Sequence, residues 1–485
     1  MMNLAQPESA IAPARINIHV VRVAAAIGLA TLADWLFYDE YAGLSVVIFA
    51  IALAAVSLTT NLDTIDHRRL LPAGLILIAG IVPAVENLNV PSLAFVLLAL
   101  GVAAAMLTNH GFDSLPDRTR ALRELYLFAP FRLARDAAGA LNPPGISSGI
   151  AVWIVPFLMS CIFLGLFASA NPLIAKWLSA ANLAKMTANL SLPRILFWLL
   201  ALSLIWPFVY LRWRRNPAAA NAPAVVATEF LSAATVLRSL ILFNLLFAVQ
   251  TVLDVVYLWG NAALPADITY ASYAHRGAYP LILTALLAAG FVLVAMRPGG
   301  PAEQSKVIRP LVYLWVAQNV MMVVSSILRL DLYVQTYLLT YWRVSAFIWM
   351  LLVATGLVLI VARIALQRNN GWLIRLNLIA VLLTLYGCSL TNFAAIIADY
   401  NVSHSREATG KGVSIDVNYL LSLGPQALPG IDRSSRIGRE DFTLIACRDS
   451  LIDKFRRETA SWRAWGLRNW RLQHYLDERA KRAAG

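Results

Sequence analysis

Charged residues are scarce in this 485-residue sequence: they make up 14% of it, whereas 59% is hydrophobic and the mean hydropathy is +0.65. A chain with so few charges does not have the composition of a soluble globular domain. Cysteine is also rare, since only three are present, and their spacing excludes a disulfide framework or a metal site of paired thiols. No P-loop, dinucleotide fingerprint or H-E-x-x-H motif occurs, so the sequence identifies no cofactor, metal ligand or catalytic residue.

The sequence consists instead of successive apolar segments, each close to the roughly 20 residues that cross a hydrocarbon core as a helix. The segments lack the alternation that is typical of barrel strands. We therefore predict an all-α protein, a polytopic transmembrane helix bundle of about eleven spans. The predicted spans are residues 20–38, 42–60, 70–86, 92–108, 148–170, 193–212, 233–258, 278–296, 307–329, 341–363 and 373–398.

The net charge of +13 is concentrated in alternate connections between these spans, which predicts that those connections are cytoplasmic. We interpret the charge as a topology signal and expect no nucleic-acid partner. Residues 1–19 are then a cytoplasmic N-terminus, residues 20–398 form the transmembrane domain, and residues 399–485 form a small helical extracytoplasmic region. The predicted location is the inner, cytoplasmic membrane, with the protein spanning it many times.

The segment 117–140 combines apolar residues on one helical face with several arginines, and Pro130 interrupts the pattern. This combination is typical of an amphipathic helix that lies under the inner leaflet, where acidic lipid attracts arginine. We expect membrane lipids to be its partner, and a specific membrane-protein partner is the alternative.

Polar side chains recur at helical spacing inside several predicted spans, where they are costly in hydrocarbon. Gln250 and Asp254 share one stripe, and Ser325 and Arg329 share another. With the predicted topology, several charged residues fall at one depth, in the outer half of the membrane: Asp34, Asp254, Arg329, Asp331 and Arg343. Two interpretations stay open, because these charges either line a ligand chamber or only pair to hold helices together.

The connection between two predicted spans, residues 269–280, carries the densest polar chemistry in the chain. Tyr273 and Tyr279 offer hydroxyls and ring faces, Arg276 is suited to an anion, and His275 titrates near neutrality. Pro280 begins a helix whose first amides favour negative charge. The segment therefore predicts a site for an anionic head group or acidic metabolite, and a structural plug is the alternative.

Three stretches also resemble a known family: Tyr270 to Pro280 (Y-A-S-Y-A-H-R-G-A-Y-P), Arg329 to Arg343 with the following Ile348-Trp349-Met350, and Trp462 to Leu472. They are similar to bacterial polytopic inner-membrane proteins catalogued as a domain of unknown function (DUF4173/DUF4153-like). The resemblance covers about half of the chain, and it implies a bacterial multi-pass membrane protein. It implies no catalytic residues.

The leading hypothesis is a binding or sensing protein for an unknown small anionic or amphipathic ligand. The predicted ligand-binding residues are Tyr273, His275, Arg276, Tyr279, Arg329, Tyr337 and Arg343, and the predicted charge partners are Asp34, Asp254 and Asp331. One alternative is a lipid-linked transferase of the cell envelope that uses Asp39, Glu40 or Asp254 as base. A transporter is the second alternative.

Overall fold

The computed structural model describes residues 18–109, 115–140, 192–213, 233–259, 290–291, 305–437 and 442–484. Within these ranges every regular element is a helix and no strand occurs, which confirms the all-α prediction. The chain divides into two compact units, Met1–Asn216 with Glu458–Gly485, and Pro217–Arg457. We call them the first and the second unit.

The described helices of the first unit are α1 (Ile18–Phe37), α2 (Leu44–Thr60), α3 (Leu70–Glu86), α4 (Val90–Thr108), α5 (Leu115–Tyr126), α6 (Ala129–Ala140) and α7 (Leu192–Val209). A single-turn helix at Trp462–Ala464 and a C-terminal helix at Leu467–Ala484 return to this unit. The start of α4 shows how the sequence sets a boundary, because Asn89 and Ser92 cap it reciprocally and a proline occupies its first turn.

Small residues let the helices of the first unit approach closely. A Cβ built on Gly80 of α3 would collide with the Ala99 Cβ of α4 and lie 2.7 Å from the Phe95 backbone oxygen, so these two helices meet backbone to backbone. Ala26 and Ala30 of α1 are likewise buried in the same apolar core. This packing by van der Waals contact is typical of helices in lipid, where apolar burial alone drives no association.

The segment predicted to lie flat as an interfacial helix is a helical hairpin of α5 and α6. The hydroxyl of Tyr126, at the end of α5, donates to the backbone oxygen of Leu97 at 2.5 Å. The face of α5 that holds Leu122 and Tyr126 fits against Gly101 of α4, where a Cβ would meet both side chains. The arms of the hairpin therefore pack along α4 and α7, and its position relative to lipid stays a prediction.

The C-terminal residues of the first unit dock on the connections that follow α1 and α3. The Leu44 N–H donates to the Trp465 oxygen at 2.8 Å, and the Arg463 Nη1 donates to Glu40 at 2.9 Å. Glu86, at the end of α3, forms ion pairs with both Arg468 and Arg471. The last helix is thus tied to one end of the bundle.

The described helices of the second unit are α8 (Ala233–Asp254), α9 (Ile308–Tyr337), α10 (Tyr341–Ala365), α11 (Asn370–Leu390), α12 (Phe393–His404), α13 (Arg406–Thr409), α14 (Val417–Ser422), α15 (Leu428–Ile437) and α16 (Phe442–Glu458). Its core lies between α8, α9 and α10, around Trp315, which stacks on Phe243. Helix α15 fits closely on α12, since a Cβ on Gly430 would lie 2.7 Å from the Ala398 Cβ.

Seven described helices are long and apolar enough to cross a membrane: Ile18–Phe37, His67–Glu86, Val90–Thr108, Ala233–Asp254, Ile308–Tyr337, Tyr341–Ala365 and Asn370–Leu390. Leu44–Thr60 and Pro193–Val209 are shorter apolar helices. The predicted number of about eleven spans is not confirmed, because the predicted span 148–170 and nearly all of 278–296 lie outside the described residues. The predicted span 373–398 ends at Leu390, after which Asn392 caps a new helix.

Candidate functional site

The most deeply buried ion pair among the described residues joins Asp254 of α8 to Arg329 of α9. The two residues are 2% and 4% exposed, and the Gln250 Nε2 donates to the same Asp254 oxygen at 2.9 Å. Gln250 and Asp254 were predicted to share a stripe, and in the structure Asp254 accepts from both Gln250 and Arg329. The pair lies inside two helices whose composition suits a membrane span.

Helix α8 changes its geometry at this point in the chain. Directly after Asp254, residues Val255–Trp259 continue it as a π-helical turn. The Trp259 Nε1 donates to the Ser325 hydroxyl of α9 at 3.4 Å, one turn before Arg329. π-helical turns inside α-helices are rare and occur frequently at functional sites, because the extra residue redirects side chains. The sequence pattern carried no signal for this turn.

The same α8–α9 seam holds further polar contacts toward the other end of the helices. Asn244 Nδ2 donates to the backbone oxygens of Leu240 and Leu311, and Gln318 Nε2 donates to the Asn244 oxygen at 3.3 Å. Both amides donate to backbone oxygens, and two of the three bonds run between α8 and α9. They are helix-packing contacts, whereas Asp254 and Arg329 concentrate opposite charges at one point.

The described contacts of Arg343 are with backbone oxygens and an aromatic ring, and its predicted role in ligand binding stays a prediction. Its Nη1 donates to the backbone oxygens of Tyr337 and Leu338, and its guanidinium lies 4.6 Å from the centre of the Tyr333 ring. Leu338 has a φ of 62°, a conformation that non-glycine residues adopt with strain. Arg343 therefore closes the turn between α9 and α10 by satisfying its carbonyls.

Asn401 of α12 holds the same turn from the other side. Its amide accepts from the Leu339 N–H at 2.7 Å and donates to the Leu339 oxygen at 2.9 Å. Tyr337 is exposed beside this turn, and Asp331 accepts from Gln335 at 2.8 Å on an exposed face of α9. The structure thus brings Tyr337 and Arg343 together, and it places Asp331 in a local helix contact.

Four of the predicted ligand-binding residues lie outside the described part of the chain: Tyr273, His275, Arg276 and Tyr279. The predicted site of this segment therefore stays a prediction. The described portion of the hypothesis is the Asp254–Arg329 pair and the turn that follows α9.

Asp34 belongs to the first unit, where its partner is a residue that sequence reasoning missed. The Arg194 Nε donates to Asp34 Oδ1 at 2.9 Å, a second Arg194 nitrogen binds the other oxygen, and the Trp198 Nε1 donates at 3.1 Å. The Arg194 guanidinium also lies 5.1 Å from the centre of the Tyr38 ring. A signal existed, because Arg194 and Trp198 are four residues apart on one face of a predicted span.

One member of the acidic pair Asp39 and Glu40, considered above as a catalytic base, is engaged in an ion pair in the structure. Glu40 accepts from Arg463, and Asp39 has a φ of 57° in the tight connection after α1. Among the described residues, no group of three or more histidine, cysteine, aspartate or glutamate side chains is placed to hold a metal ion. Nothing in this connection favours the transferase alternative.

Long apolar helices, a buried ion pair between two of them and small-residue helix packing define the class: this is a helical integral membrane protein. The sequence profile of a family described as a domain of unknown function, DUF4153, matches residues 23–434, and the chain belongs to that family. This confirms the resemblance found in the sequence. Neither the curated proteins nor the solved structures contained a match to the chain.

Proposed function

We propose that the protein is a ligand-binding protein of the bacterial cytoplasmic membrane, which recognises an anionic or amphipathic small molecule in the second unit at Arg329. The observation that carries the proposal is the Asp254–Arg329 pair, buried beside a π-helical turn. Ionisable residues inside membrane helices are expensive to insert and usually mark a functional site. A guanidinium fixed in position by a carboxylate is prepared to meet an anionic group without reorganising.

The ligand is proposed to enter from the extracytoplasmic side, where the predicted topology puts the segment 269–280. His275 and Arg276 would then add positive charge above Arg329, and Tyr273 and Tyr279 would enclose the apolar part of the molecule. Tyr337 and Arg343, at the turn after α9, would border the same opening. The turn supports this assignment because Arg343 and Asn401 hold it rigidly.

The proposed orientation has support from the first unit. The sequence predicts that the connections after α1 and α3 and the C-terminal region all face the extracytoplasmic side. The C-terminal residues do contact those connections, through Glu40 and Glu86. The arginine-rich connection before α3, with Arg68 and Arg69, belongs to the opposite end of the same helices.

A double substitution separates ligand binding from helix packing. Removing one partner of a buried ion pair leaves an uncompensated charge and costs about 3–5 kcal/mol, whereas replacing both with apolar residues is often neutral or stabilising. The variant Asp254→Leu with Arg329→Leu should therefore insert and unfold near the wild-type temperature. If Arg329 binds a ligand, this variant should fold normally but no longer bind that ligand.

The measurement is mass spectrometry of small molecules released from the purified full-length protein, together with its thermal unfolding. We expect an anionic species to be released from the wild type and to be at least tenfold depleted in the double variant. The matched control is Arg363→Leu, which removes another buried arginine of the second unit. Equal recovery of the anionic species from wild type and double variant would refute the proposal.

A further inference from the structure

The hairpin of α5 and α6 reaches far into the depth of the first unit. Tyr126, at the tip of the hairpin, bonds to Leu97 of α4, and its ring lies beside Gly101, about 10 Å along the helix from Thr108. A hydrocarbon core is about 30 Å thick, so the tip would enter the hydrocarbon without reaching the bilayer centre if α4 spans it. Helix α5 runs back along α4, and α6 returns beside α7.

The inner face of the hairpin is fully accounted for by protein contacts. Ala121 and Leu125 of α5 and Ala129 of α6 are buried. Glu124 is buried too, and it bridges the two arms by pairing with Arg120 at 3.2 Å and with Arg132 at 3.1 Å. This face needs no further partner.

The acidic residue of α6 is also engaged within the unit. Asp136 accepts from the Trp206 Nε1 at 2.8 Å and pairs with Arg212, beyond the end of α7. The two carboxylates that face the bundle are thus paired with arginines, Glu124 with those of the hairpin itself and Asp136 with Arg212. Glu124 and Asp136 are therefore not available to balance a cation on the other side of the hairpin.

The outward face of the hairpin carries large apolar side chains at its tip. Leu127 is 67% exposed, Phe128 45% and Phe131 61%. They lie within one turn of Tyr126, at the depth where hydrocarbon is expected. In water such a patch would be a liability, but in a membrane it has a natural partner in acyl chains.

Two exposed arginines flank that apolar tip, one on each arm of the hairpin. Arg123 precedes Leu127 by four residues, and Arg135 follows Phe131 by four, so each pair shares a helix face. Both arginines are exposed, and within the described ranges neither side chain forms an ion pair. The Glu124–Arg132 bridge holds the arms together, which puts the backbone of Arg123 and that of Arg135 within about one helical turn of the same level.

We propose that this outward face is a binding site for an anionic phospholipid. Arg123 and Arg135 hold the phosphate and the charged head group, and the acyl chains lie over Leu127, Phe128 and Phe131. The arginines lie on the arms and the apolar side chains lie at the tip. A lipid bound with its head group toward the open end of the hairpin and its acyl chains toward the tip would match this arrangement. Long arginine side chains reach the head-group level from within the bilayer edge.

The test is a titration of the purified full-length protein in detergent with phosphatidylglycerol and with phosphatidylcholine of identical acyl chains. Native mass spectrometry gives the dissociation constant of the first bound lipid of each kind. The wild type should prefer phosphatidylglycerol. Since a basic residue near a membrane surface is worth about fivefold in affinity for anionic lipid, Arg123→Gln with Arg135→Gln should weaken phosphatidylglycerol binding about 25-fold.

Two controls keep the result specific. Arg68→Gln removes an exposed arginine at the same end of the helix bundle, outside the hairpin, and should leave the preference unchanged. Phe131→Gln should weaken both lipids, whereas Leu71→Gln, at a similarly exposed residue of α3, should not. These substitutions are at exposed positions, so the thermal unfolding temperature should be kept.

Three outcomes would overturn the inference. The wild type binding both lipids equally would show that the arginines do not select a head group. An unchanged preference in the double arginine variant would show that they do not contact it. If Arg68→Gln lowers the affinity for phosphatidylglycerol as much as the double variant does, the arginines act only through the overall charge of the surface. Such an effect is screened by salt at about 1 M.

Discussion

The substitution Gly43→Ala should release the C-terminal residues from the first unit. Gly43 lies in the connection between α1 and α2, and a Cβ there would be 2.5 Å from the Ala464 carbonyl carbon and 2.7 Å from the oxygens of Ala464 and Trp465. All three contacts are with backbone atoms, which cannot rotate aside as a side chain would. The C-terminal segment must therefore move for the methyl group to fit.

The free-energy cost of the clash can be compared with the contribution of the polar contacts that hold the C-terminal segment on the first unit. Overpacking of this kind costs about 1–3 kcal/mol, and movement also breaks the bond from the Leu44 N–H to Trp465, worth about 1 kcal/mol. The partly exposed ion pair of Arg463 with Glu40 contributes at most about 1 kcal/mol. The clash is therefore at least as large as any single polar contact that opposes it.

Limited trypsin digestion of the purified protein measures the release, because the docked segment contains Arg463, Arg468 and Arg471. A loss of about 2 kcal/mol raises the population of the undocked segment about 30-fold, and cleavage should accelerate by that factor. Gly28→Ala is the control, since a Cβ there meets no heavy atom within 4 Å. Equal digestion rates for Gly43→Ala and Gly28→Ala would refute the reasoning.

Two further substitutions test local packing by thermal unfolding. Gly101→Val should destabilise the protein by about 1–3 kcal/mol, because even a Cβ at this position lies 2.6 Å from Leu122, and the same substitution at Gly74, which has open space, should not. Asn401→Ala should cost about 2–4 kcal/mol, since it leaves the N–H and the oxygen of Leu339 without their partner. An Asn401→Ala protein that unfolds at the wild-type temperature would show that water replaces the amide.

The helices were predictable because each apolar segment carries its own signal. Residues 70–86 were predicted as a span, and α3 has the same bounds. Boundaries failed where a polar residue inside an apolar stretch begins a new helix, as Asn392 does by accepting from the Ala395 N–H. Hydropathy is averaged over a window of residues, so a single polar residue within 373–398 did not reveal the helix boundary there.

Partners across helices were predictable only where spacing and charge restricted the choice. Asp254 and Arg329 were each found on a polar stripe, and the structure joins them. Asp34 was expected to balance Arg329 or Arg343, but its described partner is Arg194, one residue beyond Pro193 at the start of α7. Helical periodicity defines which side chains share a face, and it carries no information on which helix that face meets.

The positively charged residues do more than set the membrane topology, because several of them form ion pairs that hold parts of the protein together. In the first unit, Arg463 and Arg471 pair with Glu40 and Glu86, so these cations hold the C-terminal residues in place. Arg120 and Arg132 share Glu124 and so join the arms of the hairpin. A sequence rule that counts arginines in loops treats all of them alike, whereas the structure separates the arginines that protein carboxylates neutralise from Arg123 and Arg135, which face outward. Among the described residues, exposed arginines without a carboxylate partner are the ones available to a lipid phosphate, and in the hairpin they flank an exposed apolar tip. For that reason lipid selectivity should be measured first at the hairpin, rather than at the most arginine-rich connection.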